Sequence, residues 1–240
     1  MIEGIIMTLE NDKVLIIGGT SGFGKEIAIM AQHKDADVYV IGRDQDRVNE
    51  LRYEENIQGS SLDAQDKDQL NHYFKKYGSF DHVISMLGGA MAGGFLNSPV
   101  EEIREAFDAK FFANLQLAQI ASKHLNKNGS IILTSGSGGH PYDASGAIIG
   151  NQAINTMVAG LAVEMAPDFR ANAVSPTWTP TGLWRDMNSK QLAKQTVDVE
   201  ENVPLGRVAK IEEVASAYIY LMENDFITGQ VLKVDGGVDL

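Results

Sequence analysis

Short, almost uninterrupted apolar runs alternate along this chain with longer segments of helical periodicity, and that alternation leaves few ways to fold. Val14–Ile17, Val38–Ile41, Val83–Met86, Ile131–Thr134, Ala171–Val174 and Val231–Val234 read as six strands. They carry little polar alternation, as strands covered on both faces require. Gly24–Gln32, Glu101–Ala121, Gln152–Met165 and Ile211–Met222 carry the 3.6-residue period of helices. The pattern predicts the α/β class, with one doubly wound parallel sheet and helices on both faces. A length of 240 residues suits a single domain spanning 1–240, with residues 1–12 as a leading segment. With no cysteine, a disulfide framework, cysteine–zinc sites and a thiol nucleophile are excluded. A net charge of −12 argues against nucleic acid as a partner. Met1–Glu10 holds acidic Glu3 and no basic stretch, so it does not read as a secretory signal. No apolar run approaches the ~18 residues of a membrane span. The expectation is a cytoplasmic protein with a small-molecule substrate and no membrane partner.

The loop after the first strand is Gly18-Gly19-Thr20-Ser21-Gly22-Phe23-Gly24, and a helical segment starts at once behind it. Glycines permit the tight turn and close backbone approach, and the helix N-terminus offers free N–H groups to a phosphate. Strand, glycine loop and helix in this order predict a Rossmann-like dinucleotide site. The second strand ends Val40-Ile41-Gly42-Arg43, where an acid would bind the ribose hydroxyls of NAD. Glycine followed by a guanidinium favours NADP over NAD, because Arg43 can pair with a 2′-phosphate. The competing reading is a solvated Arg43 partnered by Asp44 or Asp46.

These motifs resemble the short-chain dehydrogenase/reductase superfamily along nearly the whole chain. Gly18, Gly22 and Gly24 match its glycine motif, with Ile17 before it. Leu62-Asp63 matches the pair at the adenine ring. Asp81, Val83, Ile84 and Gly88 match the segment after the fourth family strand, with Ser85, Met86 and Leu87 replacing Asn, Asn and Ala. Asn172-Ala173-Val174-Ser175-Pro176, followed by Thr179 and Thr181, matches the nicotinamide loop. Pro204-Leu205-Gly206-Arg207 and Ile227 through Gly237 match C-terminal segments. The resemblance implies cofactor contacts at Gly18, Thr20, Ser21, Gly22, Phe23, Gly24, Arg43, Leu62, Asp63, Leu87, Gly88, Pro176, Thr179 and Thr181. It also implies a substrate lid over roughly 177–203, and a homo-tetramer built on the Glu101–Ala121 helix, the helix after Gly150 and the Ile227–Leu240 tail. Where the family carries its catalytic Tyr, Lys, Ser and Asn, this chain carries Ala147, Asn151, Gly136 and Lys110. It resembles a divergent branch that has dispensed with the tyrosine.

Lys110 needs a physical account. At about 100° per residue, Ile103, Ala106, Phe107, Leu117 and Ala121 share one face, and Lys110 falls inside that stripe with Asn114 one turn on. A buried ammonium without a partner is expensive. Asn151 lies on the core-facing stripe of its own helix with Ile154, Val158 and Ala162. The two helices read as having exchanged a Lys and an Asn, which delivers Lys110 and Asn151 to the cofactor ribose and reaction centre. An ion pair across a subunit interface and a misaligned register stay open as alternatives. Ser135 and Ser137 follow the fourth of these strands, so Ser135 is a candidate contact to the substrate oxygen. Tyr142 is a candidate catalytic residue or a cleft-rim residue beside His140 and Pro141. Trp178 and Trp184 flank Thr179–Leu183 and suggest an apolar or aromatic substrate, or simply pack the lid. The resulting expectation is an NADP-dependent oxidoreductase that reduces a carbonyl or activated double bond. An inactive NADP-binding sensor or assembly subunit is the alternative.

Overall fold

The computed structural model describes residues 8–240, so most of the leading segment 1–12 lies outside the described residues. One seven-stranded sheet runs in the order β3-β2-β1-β4-β5-β6-β7, with every pairing parallel. Its strands are β1 (Lys13–Ile17), β2 (Asp37–Gly42), β3 (Gln58–Ser61), β4 (Phe80–Ser85), β5 (Leu125–Thr134), β6 (Arg170–Pro176) and β7 (Val231–Val234). The helices are α1 (Gly22–Gln32), α2 (Gln45–Glu55), α3 (Lys67–Tyr77), α4 (Val100–Phe107), α5 (Ala113–Ala121), α6 (Ser145–Met165), α7 (Ser189–Asn202) and α8 (Ile211–Glu223).

The two-residue period of the strands sorts the core into two layers. Leu15 and Ile17 face the side covered by α3, α5 and α6, where Phe74, Leu117 and Val158 are buried. Val14 and Ile16 face the side covered by α1, α2 and α8, where Ile27, Leu51 and Tyr218 are buried. Both faces are covered, which is why the strands read as continuous apolar runs.

Two expectations need correction. Six strands were expected and seven are present, because Gln58-Gly59-Ser60-Ser61 has no apolar signature. It becomes a strand because the open edge of β2 offers it a hydrogen-bonding ladder. The Glu101–Ala121 segment is not one continuous α-helix: a π-type turn, Asp108–Phe112, separates α4 from α5. The extra residue of that turn rotates the helix face. Leu117 and Ala121 pack in the core, whereas Ile103 and Phe107 line an open groove between α4 and α6. Lys110 sits in the middle of the turn.

Candidate active site

Strand order reverses between β1 and β4, so the crevice at their carboxyl ends is where an α/β sheet binds its ligand. Gly18 leaves β1 with φ +80°, and a Cβ there would lie 2.8 Å from Met86 Cβ. A Cβ on Gly24 would stand 2.3 Å from the Gly18 carbonyl oxygen, so only glycine lets α1 begin this close to the loop. The Ser21 side chain makes no cap bond on α1, and the first turn holds no acid. Asp44 and Asp66, by contrast, accept bonds from two N–H groups each at the starts of α2 and α3. The α1 amides are thus open to an anion, and this end of the crevice fits a dinucleotide pyrophosphate. Phe23 packs against the core beneath the loop. Thr181 closes over it from above: a Cβ on Gly22 would meet Thr181 Cβ at 3.3 Å.

At the end of β2, glycine at 42 has a structural cause. A Cβ there would lie 2.6 Å from Thr20 Cγ2, so Gly42 makes room for Thr20. Arg43 is exposed, and its guanidinium makes no ion pair among the described residues. Asp44 is committed elsewhere, capping α2 and lying 3.4 Å from Arg47 Nε. Leu62 donates its N–H to the Gly42 carbonyl and is half-buried, with Asp63 exposed beside it.

Lys110 occupies a slot cut by two glycines from different elements. A Cβ on Gly150 of α6 would sit 3.1 Å from Lys110 Cβ and 3.0 Å from Cγ. A Cβ on Gly88, just beyond β4, would sit 2.4 Å from Lys110 Cδ and 3.1 Å from Nζ. The stem therefore runs from α6 toward the β4 end, and its amine arrives beside Gly88 in the crevice. Lys110 is 8% exposed and pairs with no carboxylate among the described residues, and burial lowers its amine to about 8. The π-type turn that carries it is clamped. Buried Asn114 donates through Nδ2 to the Lys110 carbonyl at 2.6 Å and to the Leu87 carbonyl at 3.3 Å. Ser85 Oγ donates to Asn114 Oδ1 at 2.6 Å and accepts from the Leu87 N–H at 3.2 Å. Ser85 and Asn114 thereby tie the end of β4 to the turn.

Asn151 lies on the inner side of α6, and a Cβ at Gly136 would come within 2.6 Å of its Nδ2. The amide fills the space at Gly136. Ser135 is buried, and its hydroxyl donates to Asn155 Oδ1 at 2.6 Å and to the Asn151 carbonyl at 3.2 Å. It is spent on α6 rather than turned to a substrate. Asn155 went unnoticed in the sequence, although its spacing one turn after Asn151 was the available signal. Tyr142 is 72% exposed and stacks on His140, with centroids 5.1 Å apart, so it is not brought to Lys110 by any bond. Pro176 ends β6, and its carbonyl accepts from Ser137 N–H. Thr179 is buried, with its hydroxyl donated to the Thr177 carbonyl. Trp178 and Trp184 pack on each other at 5.9 Å, and Trp184 Nε1 donates to the Thr179 carbonyl.

Known proteins resemble this chain along nearly its whole length. Residues 18–239 match the family model described as Enoyl-(Acyl carrier protein) reductase. The chain is 30% identical to Short-chain dehydrogenase/reductase fsr5 of Gibberella fujikuroi, over 97% of this chain and 96% of that protein. It is 32% identical to Tropinone reductase homolog At5g06060 of Arabidopsis thaliana, over 96% and 93%. Among solved structures, it resembles a small-chain dehydrogenase in complex with NADPH at a TM-score of 0.82 and 30% identity, covering 95% of this chain and 99% of that one. It also resembles ligand-free Thermoplasma acidophilum aldohexose dehydrogenase at 0.85 and 25%, over 96% and 95%.

Proposed function

The chain belongs to the short-chain dehydrogenase/reductase family, and from that premise we propose that it is an NADP-dependent oxidoreductase whose reaction centre is built on Lys110 and Asn151. Its reaction is reduction of a carbonyl or activated double bond in a small apolar or aromatic substrate. The observation that carries the reading is the slot between Gly88 and Gly150, which brings a buried amine to the crevice where strand order reverses. The cofactor, when bound, supplies the hydride. The open amides of α1 hold its pyrophosphate, and exposed Arg43 takes a 2′-phosphate. The Lys110 ammonium donates to ribose hydroxyls and stabilises negative charge that develops on the substrate oxygen, with the Asn151 amide opposite. In this reading Lys110, Asn151, Ala147 and Gly136 stand where the family has Asn, Lys, Tyr and Ser. Ser135 holds α6 in place, and Tyr142 belongs to the rim.

Segment 177–203 acts as the lid. Its paired indoles, with exposed Leu183 beside them, support an apolar substrate. The same reading includes a homo-tetramer. The α4–α6 groove of about 430 Å³, lined by Val100, Ile103, Phe107, Phe112 and Ile149, and exposed Val163 on α6 supply the apolar surface for it. One observation favours the second reading, an NADP-binding protein without turnover: the Ser135 hydroxyl is bonded to α6 and Tyr142 is exposed on the rim, so neither is hydrogen-bonded to Lys110.

Fluorescence titration with both reduced cofactors tests the proposal. NADPH is expected to bind more tightly than NADH, and Arg43→Ala to erase the difference. Equal affinities in the unmodified protein, or an NADH preference that survives Arg43→Ala, would overturn the cofactor assignment.

A further inference from the structure

We infer that Lys110 is itself the proton donor of the reduction, so that one side chain both holds the cofactor and completes the chemistry. The inference rests on the reading above and deepens it. A carbonyl that accepts hydride at carbon must receive a proton at oxygen, and the crevice offers few sources. Position 147 is Ala, and the Asn151 amide fills the space at Gly136. The Ser135 hydroxyl is buried in bonds to α6, and the Tyr142 phenol is 72% exposed on the loop before α6. The Lys110 amine, delivered beside Gly88, remains.

The surroundings of that amine suit an acid that must let go of its proton. Gly88–Pro99, which receives the amine, contains no ionisable side chain. The only one in α6 is Glu164, near its far end. On α4 and the turn that carries Lys110, the ionisable Glu101, Glu102, Arg104, Glu105 and Asp108 are all exposed, Arg104 and Asp108 lining the outer groove between α4 and α6. α5 contributes only the neutral Asn114 clamp. His140 and Asp143 stand on the exposed loop that leads into α6. Among the described residues no carboxylate pins the ammonium, and burial alone lowers it to about 8. The step balances. Hydride from the reduced nicotinamide forms a C–H bond while the carbonyl π pair moves to oxygen. The oxygen takes one proton from the ammonium, leaving alcohol, oxidised cofactor and neutral amine, and the amine regains a proton from solvent.

The test joins a titration without cofactor to kinetics. Protein carrying ¹³C-lysine, free of cofactor, is followed by NMR through a pH series, and the Lys110 Cε resonance is assigned by its loss in Lys110→Met. That resonance is expected to titrate well below the other lysines. For the unmodified protein with NADPH and a panel of apolar aldehydes and ketones, kcat/KM for reduction is expected to fall as pH rises through the same midpoint. Lys110→Arg keeps a cation that does not release its proton in this range. It is expected to retain NADPH binding and lose roughly 10²–10⁴-fold in kcat, with the alkaline fall abolished. If Lys110→Arg binds NADPH and keeps kcat within about threefold, the donor role is wrong and the electrostatic reading stands. If Arg does not fit the slot, the unmodified protein decides: midpoints that differ between NMR and kinetics overturn the inference. NADPH binding without turnover of any carbonyl also overturns it. Failure to bind NADPH at all overturns the reading beneath it.

Discussion

Replacing Lys110 by methionine should make this protein more stable at neutral pH, an outcome opposite to that of most core substitutions. The side chain is buried between Gly88 and Gly150 and has no carboxylate partner among the described residues. Burial lowers its amine from an ordinary value near 10.5 to about 8. Each tenfold loss of proton affinity is worth ~1.4 kcal/mol, so holding the charged form in this slot costs about 3 kcal/mol of folding free energy at pH 7. Methionine has a similarly unbranched stem, fills the same slot and carries no charge to desolvate. The sign follows from proton counting. Below pH 8 lysine is protonated in both the folded and the unfolded chain, and the cost is present in full. Between about 8 and 10.5 the unfolded chain binds more protons, so stability of the unmodified protein rises with pH. Above that range the cost is gone. Urea unfolding at fixed protein concentration, at pH 7 and again above pH 10, reads both numbers. Methionine is expected to gain up to about 3 kcal/mol at pH 7 and to lose most of that advantage at the higher pH. A methionine variant that is less stable at pH 7, or a difference independent of pH, refutes the reasoning. The expected result marks Lys110 as a residue kept at the expense of stability, as functional groups often are.

Gly150→Ala tests the slot from the other side. Alanine ordinarily gains up to about 1 kcal/mol over glycine inside a helix, but here its Cβ would crowd Lys110 at 3.0 Å, so a net loss is expected. In a Lys110→Ala background the same change should turn favourable, and equal effects in both backgrounds by denaturant titration would show that the two residues do not meet. For assembly, sedimentation equilibrium at micromolar protein is expected to give a tetramer. Phe112→Asp with Val163→Asp should lower the mass, and a monomer in the unmodified protein would remove the interface assignment.

The sheet was legible in the sequence because most of its strands are buried on both faces and carry continuous apolar residues. Gln58–Ser61 was not, since an edge strand of Gln, Gly and Ser owes its conformation to the neighbouring backbone of β2. The glycine loop between β1 and α1 was also legible: Gly18 and Gly24 are demanded by a positive φ and by close backbone approach within one short segment. Burial of Lys110 was read correctly from periodicity, yet the same periodicity put Ile103 and Phe107 in the core. The π-type turn adds a residue that no 100° wheel anticipates, and the outer half of the stripe rotates into the open groove.

Local pattern by itself determined the α/β alternation, the glycine loop after β1 and the presence of an amine where apolar residues were due. Those features depend on neighbours a few positions away, whose spacing the chain carries openly. Tertiary structure decided which polar groups are free. Ser135 looked available until Asn155 took its hydroxyl, and Lys110 gained its slot only when Gly88 and Gly150 met across β4 and α6. Burial, hydrogen-bond partnership and proton affinity are set by atoms distant in the chain, so they exist only once the layers have packed.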